Sequence, residues 1–371
     1  MIRCWVLQTA GAVLLCGLAQ ATPAVGDDGV QVLHSPDSQY LLRWTQPGPV
    51  DVFVSGRPDA KLGTMRLLAR RDRDLTLQVR IPDIPRPYFA LRAGNGSIYR
   101  TAERLPPLQR GSNFRDLGGY PAANGKHIRW GLLYRSATMP LLTDADDHYL
   151  SALGIKTIVE LRSVDERQLS PADWRVKPPP KYIAVDYPGD VLFDRLQGYD
   201  GPNREQVTER LYAEFPVLLR KEYKAMFHEL VANHVPVVIQ GAAGQDRTGI
   251  AVGLILSALG VPRETIYQDY LLSIESRTPA NEMADVNLKD YAATNSEARF
   301  LIAYRSYVEK ARRTRGNAPT VQPLKDSQGR PLLQDTFEHI EADYGSVSNY
   351  LVRELGVGAE DIAKLRTLYL E

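Results

Sequence analysis

The sequence predicts an all-β sandwich followed by an α/β domain. Three observations carry this. Seven short runs of β-forming residues recur between residues 30 and 101, separated by Gly, Pro, Asp and Ser. A proline pair, Pro106-Pro107, then breaks the chain. Beyond it, an apolar run over 236–239 leads through a turn with two glycines into a helix beginning Ile250-Ala251-Val252. At 371 residues the chain is long for one ordinary domain. The expected division is a sandwich over 27–104 and an α/β domain over 108–371.

Residues 1–21 read as a secretory signal peptide. Arg3 is their one basic residue, residues 10–18 are apolar, and Ala19-Gln20-Ala21 closes the segment in a cleavage pattern. The apolar run is short for a bilayer span, and Leu15 before Cys16 disfavours lipid attachment. Cys4 and Cys16 are the two cysteines, so a chain cleaved near Ala21 holds no thiol and no disulfide. The expected location is periplasmic or secreted. No later apolar stretch is long enough for a stable membrane span. There are 45 basic and 44 acidic residues, and losing Arg3 leaves 44 against 44. That balance gives no general attraction to nucleic acid or anionic membrane.

The expected strands of the first domain are 30–33, 40–44, 50–55, 65–69, 75–80, 88–92 and 98–101. Their spacing resembles, in pattern, a fibronectin III-like sandwich with Trp44 as core anchor. No catalytic cluster falls among them, which suits packing or partner binding. Asn95-Gly96-Ser97 fits both a glycosylation sequon and a hairpin turn.

The chemistry concentrates in Val237-Val238-Ile239-Gln240-Gly241-Ala242-Ala243-Gly244-Gln245-Asp246-Arg247-Thr248-Gly249. A strand, a tight glycine turn and a helix N-terminus aim several backbone N–H groups at one point, where the helix dipole adds roughly half a positive charge. Arg247 at the helix start is suited to grip two phosphate oxygens at once. This arrangement suits a phosphate monoester dianion.

The stretch resembles the strand-His-Cys-x-x-Gly-Lys-Asp-Arg-Thr-Gly-helix pattern of the atypical bacterial tyrosine and lipid phosphatases, a branch of the protein tyrosine phosphatase superfamily. Gly244, Asp246, Arg247, Thr248 and Gly249 match; Gln240, Gly241 and Gln245 stand for His, Cys and Lys. The resemblance implies a central, mainly parallel sheet flanked by helices. It also implies action on phosphotyrosine, phosphoserine/threonine or phosphoinositide without metal or cofactor. Gln240, Ala242, Ala243, Gly244, Gln245, Thr248 and Gly249 then line the substrate site. Asp246 becomes the general acid that protonates the leaving oxygen. Arg247 becomes the clamp on the transferring phosphoryl group. Family catalysis runs through a thiolate held at low pKa by the same N–H groups. Gly241 occupies that position and has no side chain with which to attack.

A second match is Gly111-Ser112-Asn113-Phe114-Arg115-Asp116-Leu117-Gly118-Gly119-Tyr120. In relatives it opens the catalytic domain beside the phosphate loop. Arg115 and Asp116 therefore join the substrate-binding set, or form a structural pair that anchors the turn. Residues 153–163 look like the helix-to-strand element that precedes the core sheet. Arg135 and Arg162 either add positive charge near the site or are solvated or salt-bridged. Residues 204–233 read as helical, and their apolar stripe serves as a lid over the site or as core. Segments 266–273, 344–351 and 355–357 resemble the helical tail that packs on the sheet.

The six histidines, His34, His127, His148, His228, His234 and His339, are scattered, and nothing resembles a metal-ligand set. The expected function is binding of a phosphorylated protein, a phosphoinositide or free phosphate without turnover. Losing a thiolate removes a charge that repels the dianion, whereas Gln245 for Lys removes one that attracts it. An active phosphatase with a non-thiol nucleophile, or with an altered residue at 241, is the alternative. A secreted scaffold or adhesion protein is the second.

Overall fold

The structure, a computed structural model, describes residues 29–35, 38–172, 174–193, 204–303, 306 and 324–371. The signal-peptide expectation, with Cys4, Cys16 and cleavage near Ala21, lies outside the described residues.

All seven N-terminal strands form: β1 (Val30–Ser35), β2 (Gln39–Trp44), β3 (Val50–Ser55), β4 (Arg66–Asp72), β5 (Thr76–Arg80), β6 (Tyr88–Ala93) and β7 (Ile98–Ala102). They make two antiparallel sheets, ordered β1-β2-β5 and β4-β3-β6-β7. Because strand side chains alternate, Tyr40, Leu42 and Trp44 of β2 point to one side, as do Val50, Val52 and Val54 of β3. These two sets meet Val30, Val32, Phe89 and Leu91 in one buried cluster. At the sheet edge, β4 continues past 69 into Arg70 and Arg71, both exposed; an edge tolerates charges there. The 95–97 segment makes the turn between β6 and β7. Ser97 N donates to Asn95 Oδ1, Ala93 N to Ser97 O, and Gly96 takes φ +88°.

The second region is built on a five-stranded sheet. It contains β8 (Arg115–Asp116), β9 (Leu133–Ala137), β10 (Thr157–Glu160), β11 (Lys181–Ala184) and β12 (Val237–Gly241), in the order β11-β10-β12-β9-β8. The first four in that order are mutually parallel, and β8 pairs antiparallel at the edge. Around it lie α1 (Asp144–Ala152), α2 (Val164–Leu169), α3 (Asp190–Phe193), α4 (Arg204–Leu218), α5 (Arg220–Val231), α6 (Asp246–Leu259) and α7 (Arg263–Leu271), followed by further helices that include Leu332–Tyr344 and Ala359–Tyr369. Val237 and Ile239 face the cluster holding α4, α5 and α6, while Val238 faces the opposite cluster with Leu150 and Ile155. Cover on both faces explains why this strand reads as a continuous apolar run.

The 204–233 stripe is core: Leu211, Phe215, Leu219, Tyr223, Met226, Phe227 and Leu230 are all buried. The stretch is two helices rather than one, broken at Leu219. Pro216 lacks an N–H and so leaves the Tyr212 carbonyl without its helical donor. Thr336 Oγ1 supplies the missing bond at 2.9 Å. That bond fixes Tyr212, whose ring reaches the functional site.

Candidate functional site

The site begins where β12 ends, at the C-terminal edge of the parallel strands. The chain passes through 242–245 and enters α6 at Asp246. Gly244 takes φ +62°, and a Cβ there would run into the backbone of Ser136 and Ala137. Only glycine satisfies both demands.

The carbonyls of 242–244 are held from outside the loop. Ala242 O accepts from Thr138 N at 3.1 Å and Ala243 O from Asn113 Nδ2 at 2.9 Å. Gly244 O accepts from Asn113 Nδ2 at 2.8 Å and from Arg135 Nη2 at 2.7 Å. The N–H groups of 242–245 meet no acceptor among the described residues. With the unbonded first-turn amides of α6 they form a donor set for an anion.

Behind the loop lies a buried charge network. Asp269 of α7 accepts from Arg115 Nε at 3.0 Å, Arg135 Nη1 at 2.6 Å and the Tyr120 hydroxyl at 2.9 Å. Burial opposes ionisation of Asp269, but the two guanidiniums outweigh it and hold the carboxyl well below the usual aspartate range. Burial and the neighbouring Arg115 pull Arg135 down to about 10, against Asp269. Arg115 also donates to Asn113 Oδ1, the residue that grips the loop carbonyls.

The structure places Arg115 and Asp116 behind the loop. Both are fully buried, Arg115 against Asp269 and Asp116 against Arg86, because a buried charge needs a partner. They act on the loop from behind. Arg135 and Arg162 are likewise paired inside, Arg162 with Glu160.

Arg247 is fixed by a fork. Its Nη1 and Nη2 donate to Glu166 at 2.7 and 2.6 Å, and Nη1 also donates to the Tyr187 hydroxyl at 2.9 Å. Glu166 is the N3 residue of the Ser163 capping box at the start of α2. Burial disfavours its charge, but the Arg247 guanidinium and bonds from Arg247 and Ser163 bring the carboxyl below its usual value. Asp246 accepts a hydrogen bond from the Tyr212 hydroxyl, which lies 2.6 Å from the Tyr270 hydroxyl.

Gln245 is buried, accepting from Arg277 Nη1 at 2.7 Å and donating to Asp246 Oδ1 at 3.4 Å. Arg277 is itself paired with Glu282. Gln240 faces Trp174 and Glu160 beneath the sheet end, at 3.0 and 2.8 Å. Gly249 lets the Tyr270 ring pack against α6. The structure thus gathers 241–249 into one loop, with Gln240 below it and Arg115 and Asp116 behind. Among the described residues no group of His, Cys, Asp and Glu could hold a metal ion.

The sequence model described as the tyrosine phosphatase family matches residues 106–371. The chain belongs to the tyrosine phosphatase family. It is 31% identical over 266 residues to a Cupriavidus necator protein named as a tyrosine-protein phosphatase, covering 70% of this chain and 86% of the relative. It is 28% identical over 298 residues to the triple specificity protein phosphatase of Mycobacterium tuberculosis, covering 70% and 96%. A tyrosine-protein phosphatase of Nostoc commune is 31% identical over 261 residues, covering 66% and 76%.

For this phosphatase-family chain, sequence reasoning missed Glu166, Tyr212 and Asp269 as supports of the loop. Asp269 carried a signal: it is an acid set among Ile266, Tyr267, Tyr270 and Leu271 in a segment read for burial. Glu297 was also missed. It lies in the first turn of a helix that begins at Ser296, whose hydroxyl donates to Asp165, the neighbour of Glu166 in sequence. Burial and the nearby Glu166 push its carboxyl up to about 8, although Arg247 pulls the other way.

Proposed function

We propose that the 241–249 loop binds phosphate monoesters, or phosphate itself, without turning them over. The supporting observation is the set of N–H groups of 242–245, without an acceptor among the described residues, beside Gly241, which has no side chain. A phosphoryl group held there has its oxygens bound by the loop N–H groups, and the Arg247 guanidinium reaches them by sharing or leaving Glu166. No thiolate stands opposite the ester oxygen to displace it. Asp246, tethered by Tyr212, is the general-acid candidate on this reading, with no attack to assist. The natural ligand on this reading is a phosphorylated protein, a phosphoinositide or free phosphate.

The surrounding assignments belong to the same proposal. The strand orders β1-β2-β5 and β4-β3-β6-β7 support a fibronectin III-like sandwich as a separate domain over 27–104. The Ala19-Gln20-Ala21 pattern supports export. A working phosphatase with another nucleophile is the second reading, favoured by the phosphatase names of the relatives. Calorimetric titration with phosphate and tungstate tests the binding claim. Saturable binding by the full chain and its loss in Arg247→Ala are expected; no binding of either anion refutes it.

A further inference from the structure

The geometry points to Arg86, in the connection between β5 and β6, as a positioning residue for the phosphate loop, and to the N-terminal sheets as a strut of that site. Arg86 is buried and wholly engaged. Its Nη2 donates to Asp116 Oδ2 at 2.7 Å and to Glu103 O at 3.0 Å, and its Nε to the Tyr88 hydroxyl at 3.2 Å. Its guanidinium carbon lies 5.3 Å from the centre of the Tyr88 ring and 5.8 Å from that of Tyr134.

Asp116 is equally committed. Besides Arg86 it accepts from Gly118 N at 2.8 Å and Gly131 N at 2.9 Å. Its backbone is clamped too: Asp116 N donates to Arg104 O, and Arg104 Nη1 donates to Asp116 O at 2.9 Å. Arg104 lies two residues beyond the end of β7.

β8 is two residues long, so its side chains point to opposite sides. Asp116 goes to the N-terminal sheets. Arg115 goes to Asp269 and to Asn113, which holds the carbonyls of Ala243 and Gly244. A continuous chain of buried bonds therefore runs from Arg86 through β8 to the backbone of the phosphate loop. Arg86 touches no ligand atom; it sets where β8 sits, and β8 sets the loop.

The inference rests on the phosphate-binding reading for one of its two readouts. The full chain is compared with Arg86→Met and with Leu42→Ala, a core change in the same N-terminal sheets that touches neither Arg86 nor Asp116. Phosphate affinity is measured calorimetrically, and amide exchange is followed in peptides covering 133–138, where Thr138 N–H bonds the loop carbonyl of Ala242. Arg86→Met is expected to weaken phosphate at least tenfold and to speed exchange of those amides at temperatures well below its Tm. Leu42→Ala should lower Tm and leave both unchanged. Asp116→Asn keeps the side-chain shape while removing its charge, and replaces Arg86→Met should that variant not fold. A folded variant of the pair with unchanged affinity and unchanged exchange overturns the strut. Absence of phosphate binding by the unaltered chain overturns the binding reading instead, and exchange alone then judges the strut.

Discussion

Thr248 Oγ1 lies 2.5 Å from where a Cβ on Gly241 would stand, and it is a buried hydroxyl without a hydrogen-bond partner among the described residues. A buried polar group left unpaired costs roughly 1–3 kcal/mol. The hydroxyl thus occupies volume that a side chain at 241 would require. A side chain at 241 requires the Thr248 hydroxyl to turn aside, so the two positions are coupled.

The coupling is measurable as a double-mutant cycle. Gly241→Ala should destabilise the fold by about 1–3 kcal/mol through overpacking, read as a lowered denaturant midpoint. In a Thr248→Ala background the same change should cost little. Equal costs in both backgrounds would show that Thr248 yields freely.

Arg247 and Glu166 depend on one another. Removing one partner of a buried, hydrogen-bonded pair costs about 3–5 kcal/mol. Glu166→Ala should therefore lower stability by that order and weaken phosphate binding, although Glu166 touches no ligand. Because the folded pKa of Glu166 lies below its ordinary value, its contribution is present above the unfolded pKa. It is lost as pH falls through the folded one. Stability of the wild type should consequently fall more steeply in acid than that of Glu166→Gln.

Glu297 titrates in the opposite sense. With its carboxyl pushed up to about 8, it is mainly protonated at neutral pH. Its stabilising contribution is complete below the unfolded glutamate pKa and disappears as pH rises through about 8. Ionised Glu297 places a second carboxylate near Arg247, beside Glu166. Phosphate affinity of the wild type should drop above pH 8 relative to Glu297→Gln, and parallel profiles for the two proteins would contradict this.

What was legible in the sequence was local. The seven N-terminal strands follow from apolar alternation between turn residues, and the phosphate loop follows from an apolar run, two glycines and an arginine. The illegible part lay in partners distant along the chain. Arg115 meets Asp269 and Asp116 meets Arg86, pairings that no local spacing encodes, so the sequence left both open between substrate contact and a structural pair. β11 escaped notice because it is short and partly exposed at the sheet edge. The break between α4 and α5 falls at Leu219, inside a continuous apolar stripe that carries no turn signal at that point.

Asp269 offers a check on that buried network. Asp269→Asn leaves Arg115 and Arg135 without their shared carboxylate and should cost about 3–5 kcal/mol, seen as a large fall in Tm. A loss below about 1 kcal/mol would show that the two arginines find other acceptors.

The central claim is that this tyrosine phosphatase family chain holds phosphate without cleaving its ester. Phosphate release from a phosphotyrosine peptide and a phosphoinositide, by the full chain beside its Gly241→Cys variant, tests it most directly. The account predicts no release above the uncatalysed rate with Gly241 in place, and release once the thiol is supplied. Turnover by the chain carrying Gly241 would contradict it.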